Sequence, residues 1–427
     1  MPEIDSGSRT AALSIFRNET NDQKQDVEPT TITVNGRTTT AFIKYSDCTT
    51  CPTVYFNSST TLSSFVGGRL QIPTSPTLFQ YSGDPYLAAD TNNDGYGPNR
   101  VYISGSLINP GAQNDKSGIA VWRSNDSGAN FPTLPTVVAF DDSGTVAFYD
   151  KPTITVSSHA GSLGYVYVAY LVIDHLNAKA GSVWVARSTD GGASFPQKVE
   201  VPATVTAAGK VGGPQVVVSP GGIVYVLWAD YLNGAIKLAS SSNCGVSWSG
   251  ALPGISGRNF YFGTNLLAGM RVFAIPSARY NVPAGGVSVV WHEKNAMGNA
   301  DVYYAFEVNG LWWSAPVRIN QTVVNDQFMP ALHVDGSGNV AISYYDTRDD
   351  PVFARRYATY YDVINAYGSV FLQGDVRLSP WLSDPATLPL VNFIGDYHDM
   401  WYTNGSWHDV STLVPSSGWS DIFLQIP

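Results

Sequence analysis

Apolar and polar residues alternate along most of the chain, in short runs separated by turn-forming residues. One phrase recurs: a small, acidic or other single residue, then Pro, then an alternating strand, a turn, and a second strand rich in Val and Tyr. Asp84-Pro85 leads YLAAD and then RVYIS. Lys151-Pro152 leads TITV and then YVYVAY. Gly213-Pro214 leads QVVV and then IVYVLW, and Met329-Pro330 leads ALHV and then NVAISYY. A further copy, MRVFAI at 270–275 followed by GVSVVW, lacks the Pro in that place, and FIGDYHDMWY opens the last. The prolines at 85, 152 and 214 lie 67 and 62 residues apart; from 214 to 330 is 116, two repeats of 58, and the last start, near 396, follows 66 later. Third strands follow as IAVWRS, VWVARS, IKLASS and VYYAFE.

A period of two marks half-buried strands rather than helices. Even repetition of short four-stranded units suits a radial array whose edges are short and protected. A β-sandwich would explain the density of turns but not the fixed period. The prediction is an all-β, six-bladed β-propeller of four-stranded antiparallel blades spanning residues 53–427, with blades starting near 84, 151, 213, 270, 329 and 396. Residues 1–52, rich in Thr, Asn and Asp, read as a polar and partly flexible N-terminal arm. TVYFN at 53–57 reads as an early strand, and the segment 53–80 as the source of the strand that closes the ring.

A second signature follows three of the third strands. It runs Ser124, Asp126, Gly128 and Phe131; then Ser188, Asp190, Gly192 and Phe195; then Ser241, Asn243, Gly245 and Trp248, with Asn in the acidic place. The Asp or Asn side chain can accept backbone N–H groups of its own turn. Gly supplies a positive φ without steric cost. The aromatic can tuck under the hairpin. This S-x-D-x-G-x-x-F/W pattern resembles the Asp box of the sialidase superfamily, and the resemblance covers about residues 80–427. It implies that these turns are structural and lie at the blade rim, away from the ligand.

The resemblance also implies a ligand face built from the starts of first strands and the loops between second and third strands. Family sialidases use a Tyr nucleophile assisted by a Glu, an Asp acid/base and three Arg that grip the sugar carboxylate. Tyr397 falls where the family's Tyr falls, and Asp115 falls near the acid/base Asp. Asp84 and Asp396 join them as candidate catalytic residues. Arg271 and Arg348 are candidate carboxylate clamps, since planar guanidinium forks suit that ligand. Asp150, His292, Glu293 and His398 complete the candidate binding set. The chain departs from the family in carrying Gly83-Asp84-Pro85 where Arg-Ile-Pro is expected. It also lacks a Glu at the first strand of the fourth unit; Glu293 lies in a different loop. Asp in place of Arg reverses the sign of the interaction with a carboxylate. Classical sialidase activity is therefore not expected. YYDTRDDP at 344–351 and FIGDY at 393–397 resemble less characterised secreted relatives, which implies an extracellular location, although the chain opens on a polar segment without a leader.

Composition narrows the partners. Only 14% of residues are charged, with 40 Gly, 24 Tyr and 11 Trp, as turn-rich β proteins have. The formal charge of −10 offers no basic footprint for nucleic acid. No apolar run approaches the ~20 residues that span a bilayer, so no membrane insertion is expected. The expected partner is a glycan or polysaccharide, and the expected state a monomer. Cys48 and Cys51 form a CTTC that reads as a local disulfide or two free thiols; Cys244 stands alone. Asp90, Asn92 and Asp94, followed by Gly95, resemble half of a calcium loop, but the twelfth position is Val101 rather than Glu. An Asx-rich turn explains the same residues, and both readings stay open. Two functions remain: a glycoside hydrolase acting on a glycan, or a non-catalytic glycan-binding, adhesion or protein-interaction propeller.

Overall fold

The structure is a computed structural model. It describes residues 15–45, 51–75, 79–92, 99–110, 116–176, 180–202, 210–266, 269–308, 312–390, 392–416 and 418–427. The fold is an all-β propeller of four-stranded antiparallel sheets, and no α-helix occurs among the described residues.

The sheets number one more than the six repeats that the sequence suggested. Five are separate: residues 81–141, 147–200, 211–255, 277–318 and 327–377. The remaining eight strands form two further blades, joined by a single parallel bridge between Gln25 and Ser420. One is built from residues 25–69, the other from residues 399–426 plus Ile15–Asn18, which pairs with the last strand. The innermost strands of all seven contact one another in sequence order, and the last contacts the first. The ring is thus closed by Ile15–Asn18 rather than by the segment 53–80. Residues 25–45 are two strands of the first blade rather than an arm, so the expected boundary at 52/53 falls within one sheet.

The physical reason for the missed blade is its composition. Gln25–Val34 and Arg37–Tyr45 are rich in Thr, whose β-branched side chain suits a strand although it reads as polar. Thr30, Thr31, Thr39 and Thr40 are nonetheless buried, and the Thr30 hydroxyl donates to Asp399 at 3.0 Å. The fifth blade also begins later than expected. Its innermost strand is Ser277–Asn281, directly after Ile275-Pro276, while Arg271–Phe273 belongs to a separate two-stranded ribbon with Phe262–Asn265.

The X-Pro phrase has one structural meaning. At Glu28, Asp84, Lys151, Gly213 and Met329 the residue before Pro has a positive φ, between 48° and 62°. Each lies in a β-bulge, where the register slips between Val27 and Thr30, Gly83 and Tyr86, Asp150 and Thr153, Gly212 and Gln215, and Phe328 and Ala331. A bulge tolerates Pro, which has no N–H to give to a ladder, and it redirects side chains at a sheet end. Four of these five residues are non-glycine in the left-handed region, a costly conformation that a structure keeps where it has a use.

The core lies between blades. Ala88, Tyr102 and Val121 of the second blade, for example, interleave with Ile154, Val168 and Phe195 of the third. Trp122, Trp228 and Trp291 are fully buried, each in a different layer between blades, and truncating such a side chain to Ala costs about 3–5 kcal/mol. The three S-x-D/N-x-G turns share one hydrogen-bond pattern. The Gly amides of Gly128, Gly192 and Gly245 donate to Ser124, Ser188 and Ser241 at 2.8–2.9 Å. Asp126, Asp190 and Asn243 accept an amide four residues on at 2.9–3.0 Å. Phe131 and Phe195 are buried beneath them, and Trp248 is half-buried. Each turn also docks on the preceding blade: Arg123 donates to Gly191 O at 3.2 Å and Arg187 to Cys244 O at 2.7 Å. Ser124 pairs with Val101 near one end of its sheet, whereas Gly83, beside Asp84, pairs with Ser106 near the other. The turns therefore sit away from the bulged ends. Cys51 is disulfide-bonded and Cys244 is a free thiol; Cys48 lies outside the described residues.

Candidate active site

The bulged ends of the inner strands converge on a cavity of about 380 Å³. Its walls are largely apolar, with Tyr45, Tyr231, Phe273 and Phe393 among them, and its charged groups come from four blades and the ribbon at 262–273. These groups are Glu28, Asp84, Asp150, Lys151, Arg271 and Asp396. Lys151, raised by its bulge, stands at the centre. Its ammonium contacts Asp84 closely, Asp396 Oδ2 at 2.9 Å and Glu28 Oε1 at 3.9 Å. Arg271 holds the other oxygen of Asp396 at 2.8 Å, with its guanidinium over the rings of Phe273 and Phe393 at 5.0 and 4.7 Å. Ser106 donates to Asp84 Oδ2 at 2.7 Å, and Glu28 Oε1 accepts the Asp396 amide at 3.0 Å.

Four carboxyls against two cations cannot all ionise in a buried space, and their environments push them apart. Burial, and then the charge of Asp84, lifts Asp150 to about 7, with Lys151 opposing. Burial also lifts Glu28 well above the usual carboxylate range, against the pull of Lys151. Burial alone would raise Asp84, but the Lys151 ammonium, with hydrogen bonds from Lys151 and Ser106, holds it below its usual value. The cluster therefore sets Asp84, held low, beside Asp150, pushed up toward neutral pH. Lys151 stays charged: burial works against the ammonium, and Asp396, Asp84 and Glu28 outweigh it.

Of the residues expected at the site, the structure brings Asp84, Asp150, Asp396 and Arg271 together. Tyr397 lies below them, lining a smaller cavity along the axis of about 30 Å³ with Tyr86, Pro214 and His398. Its hydroxyl donates to Pro85 O at 2.8 Å. Asp115 lies outside the described residues. Arg348 is not brought to the mouth: it is spent within the sixth blade on Asp346 and Asp375, both at 2.7 Å. Glu293 is held by Arg258 at 3.0 Å and by the indole N–H of Trp291 at 2.9 Å. His292 is fully buried against Tyr261, and burial lowers it to about 3, so it is neutral. His398 is likewise neutral, lowered by burial to about 3, with its Nε2 at 2.8 Å from Ser343 Oγ. Packing turns the side chains of Arg348, Glu293 and His292 into the blades instead, while His398 stays beside the axial cavity, bonded to Ser343. Asp90 takes the backbone and side-chain amides of Asn92 at 2.9 and 3.0 Å and pairs with Arg100. Asp94 lies outside the described residues.

Two members of the cluster had been given no catalytic or binding role. Glu28 lay in the supposed arm, although Glu28-Pro29 repeats the Asp84-Pro85 phrase and marks the missing blade. Lys151 opens its own blade in the same phrase. Counting from Glu28, the prolines at 29, 85, 152, 214, 276 and 330 are 56, 67, 62, 62 and 54 residues apart, so the signal was present.

No family model matches the chain, and no curated protein matches it. Solved structures share the fold. The α-L-arabinofuranosidase Arb93A from Fusarium graminearum superposes with a TM-score of 0.53 at 14% identity, covering 84% of this chain and 98% of that one. The Trypanosoma rangeli sialidase gives 0.51 at 10% identity, covering 94% of this chain and 55% of that one. The Hadza microbial sialidase Hz136 gives 0.50 at 14% identity, covering 75% and 63%. The chain thus spans less than two thirds of the length of either sialidase. At these identities the likeness establishes the propeller fold, which is similar to that of sialidases and an arabinofuranosidase.

Proposed function

We propose that the chain is a glycoside hydrolase acting at the axial mouth on a glycan without a sialic-type carboxylate. The observation that carries this reading is the gathering of Asp84, Asp150 and Asp396 around Lys151 on the wall of an open cavity, with burial and Asp84 raising Asp150 while Lys151 holds Asp84 low. Glycoside cleavage needs a proton donor for the leaving oxygen and a carboxylate to meet the developing positive charge. Asp150, raised to about 7, is suited to the first task. Asp396 lies across Lys151 from Asp84, and one ammonium bridging two carboxylates keeps their oxygens within about 6 Å. In retaining enzymes a second carboxylate attacks the anomeric carbon. In this scheme Asp150 gives its proton to the departing oxygen as that bond breaks and Asp396 bonds to the sugar. Asp150, now ionised, takes a proton from the water that releases it. The excess of acid over base at the mouth opposes an anionic sugar, and Asp84 stands where a clamp Arg would be needed.

The saturation of Asp396 by both Lys151 and Arg271 favours a second reading, a glycan-binding propeller without turnover. A panel of chromogenic furanosides and pyranosides, run beside a glycan array, separates the two. Turnover that vanishes in Asp150→Asn while array binding persists supports hydrolysis. Array binding with no turnover by the unmodified protein selects the binding reading. Failure of both assays would remove the mouth as a sugar site.

A further inference from the structure

A second acidic group lies outside the mouth, where the ring closes. Asp26 is on the innermost strand of the first blade, Asp421 is on the strand of the last blade that pairs with Ile15–Asn18, and Asp22 is in the loop between Ile15–Asn18 and Gln25–Val34. One carboxylate oxygen of each lies within 4.8 Å of the others. Asp26 is fully buried, and among the described residues neither of its oxygens has a hydrogen-bond partner. A buried carboxylate left in that state is expensive, and native structures keep one only where something answers it. The nearby donors are directed mainly to its neighbours. The Thr20 hydroxyl is directed to Asp421 at 3.1 Å, and the Asn18 amide also donates to Asp421, at 2.7 Å. The Lys44 ammonium is paired with Asp22, the exposed member of the three. Three carboxyls around one ammonium form a pocket of oxygen donors, with no imidazole or thiolate among them. That donor set fits a hard divalent cation of calcium's size, which takes carboxylate and carbonyl oxygens at 2.3–2.6 Å in flexible geometry.

We propose that Asp22, Asp26 and Asp421 form a calcium site that ties the first blade to the last. Calcium would meet both oxygens of Asp26 and draw Asp22 away from Lys44. Because its ligands come from residues about four hundred positions apart, occupancy would lock the ring at its point of closure, adding to Ile15–Asn18, the Gln25–Ser420 bridge and the Thr30–Asp399 hydrogen bond.

The test is a calorimetric titration of calcium chloride into the metal-stripped full chain, with thermal melting followed in parallel. One equivalent should bind, and the melting temperature should rise with calcium. Asp26→Asn, which keeps the shape and removes the charge, should weaken binding at least tenfold and abolish the thermal response. Lys44→Met leaves all three carboxylates in place and should bind calcium more tightly than the unmodified chain. Asp90→Asn, in the loop at 90–94, should leave the response unchanged. The proposal is overturned if no saturable binding occurs in the unmodified and Lys44→Met chains alike, or if binding survives Asp26→Asn and disappears in Asp90→Asn.

Discussion

Two carboxylate clusters of similar composition have opposite characters. At the mouth, Glu28, Asp84, Asp150 and Asp396 surround Lys151 and Arg271. In the sixth blade, Asp346, Asp362 and Asp375 surround Arg348. In the blade nearly every oxygen is used. Asp346 Oδ1 accepts the Arg348 amide at 2.7 Å, Tyr344 donates to Asp362 Oδ2 at 2.7 Å, and the Asp375 amide donates to Asp362 Oδ1 at 2.9 Å. The guanidinium lies over the Tyr360 ring at 4.3 Å. The cluster binds its own blade together. At the mouth the cation count is also short, but Glu28 Oε2 has no partner among the described residues and the group borders an open volume. A charge cluster becomes a candidate site when one of its acids is left without a partner and its walls are open. Carboxylate density alone does not distinguish the two.

The contrast can be broken by substitution. Asp150→Asn should reduce turnover of any cleaved glycoside by about 10²–10⁴-fold, the usual contribution of a general acid, with little change in the unfolding midpoint. Equal loss of stability and activity would place Asp150 with the structural acids. Arg348→Ala should do the reverse. Removing one partner of a buried ion pair costs about 3–5 kcal/mol, read as a lower denaturant midpoint, while turnover per folded molecule stays the same.

A smaller effect sharpens the contrast through pH. Burial lifts Asp362 to about 8, with the Tyr344 hydrogen bond opposing. A carboxyl whose folded value exceeds its unfolded value binds more protons when folded, so its contribution is complete below about 4 and fades as pH rises toward 8. Stability should therefore fall between pH 4 and 8, by an amount on the order of a few kcal/mol. Asp362→Asn should flatten that slope in a series of denaturant titrations. An unchanged slope would show that Asp362 ionises normally in the folded chain.

The repeat was legible because the X-Pro bulge is a local backbone device that leaves the same dipeptide at each blade start. It failed at the first blade, where buried Thr replaces Val and the hydropathy pattern fades, and at the fifth, where the ribbon carrying Arg271 displaces the phrase by several residues. The acids at the mouth were legible for the same reason as the blades: Asp84 and Asp150 sit at or beside bulges, and Asp396 lies just ahead of the first strand of the last blade. Arg348, His292, Glu293 and His398 were misplaced because position in a loop or at a strand end does not fix which way a side chain faces. A shift of one residue along a strand moves it to the other face, and only the packing of Tyr261, Trp291 and Ser343 around these groups settles the direction.

The central claim is that the mouth holds a shared proton at neutral pH, and carboxyl-carbon NMR of the aspartate-labelled chain tests it directly. The account predicts a carboxyl resonance with a midpoint near pH 7 that is absent from Asp150→Asn and moves downward when Asp84→Asn removes the neighbouring charge. A spectrum in which the resonance lost in Asp150→Asn titrates near the ordinary aspartate value of about 4 would contradict it.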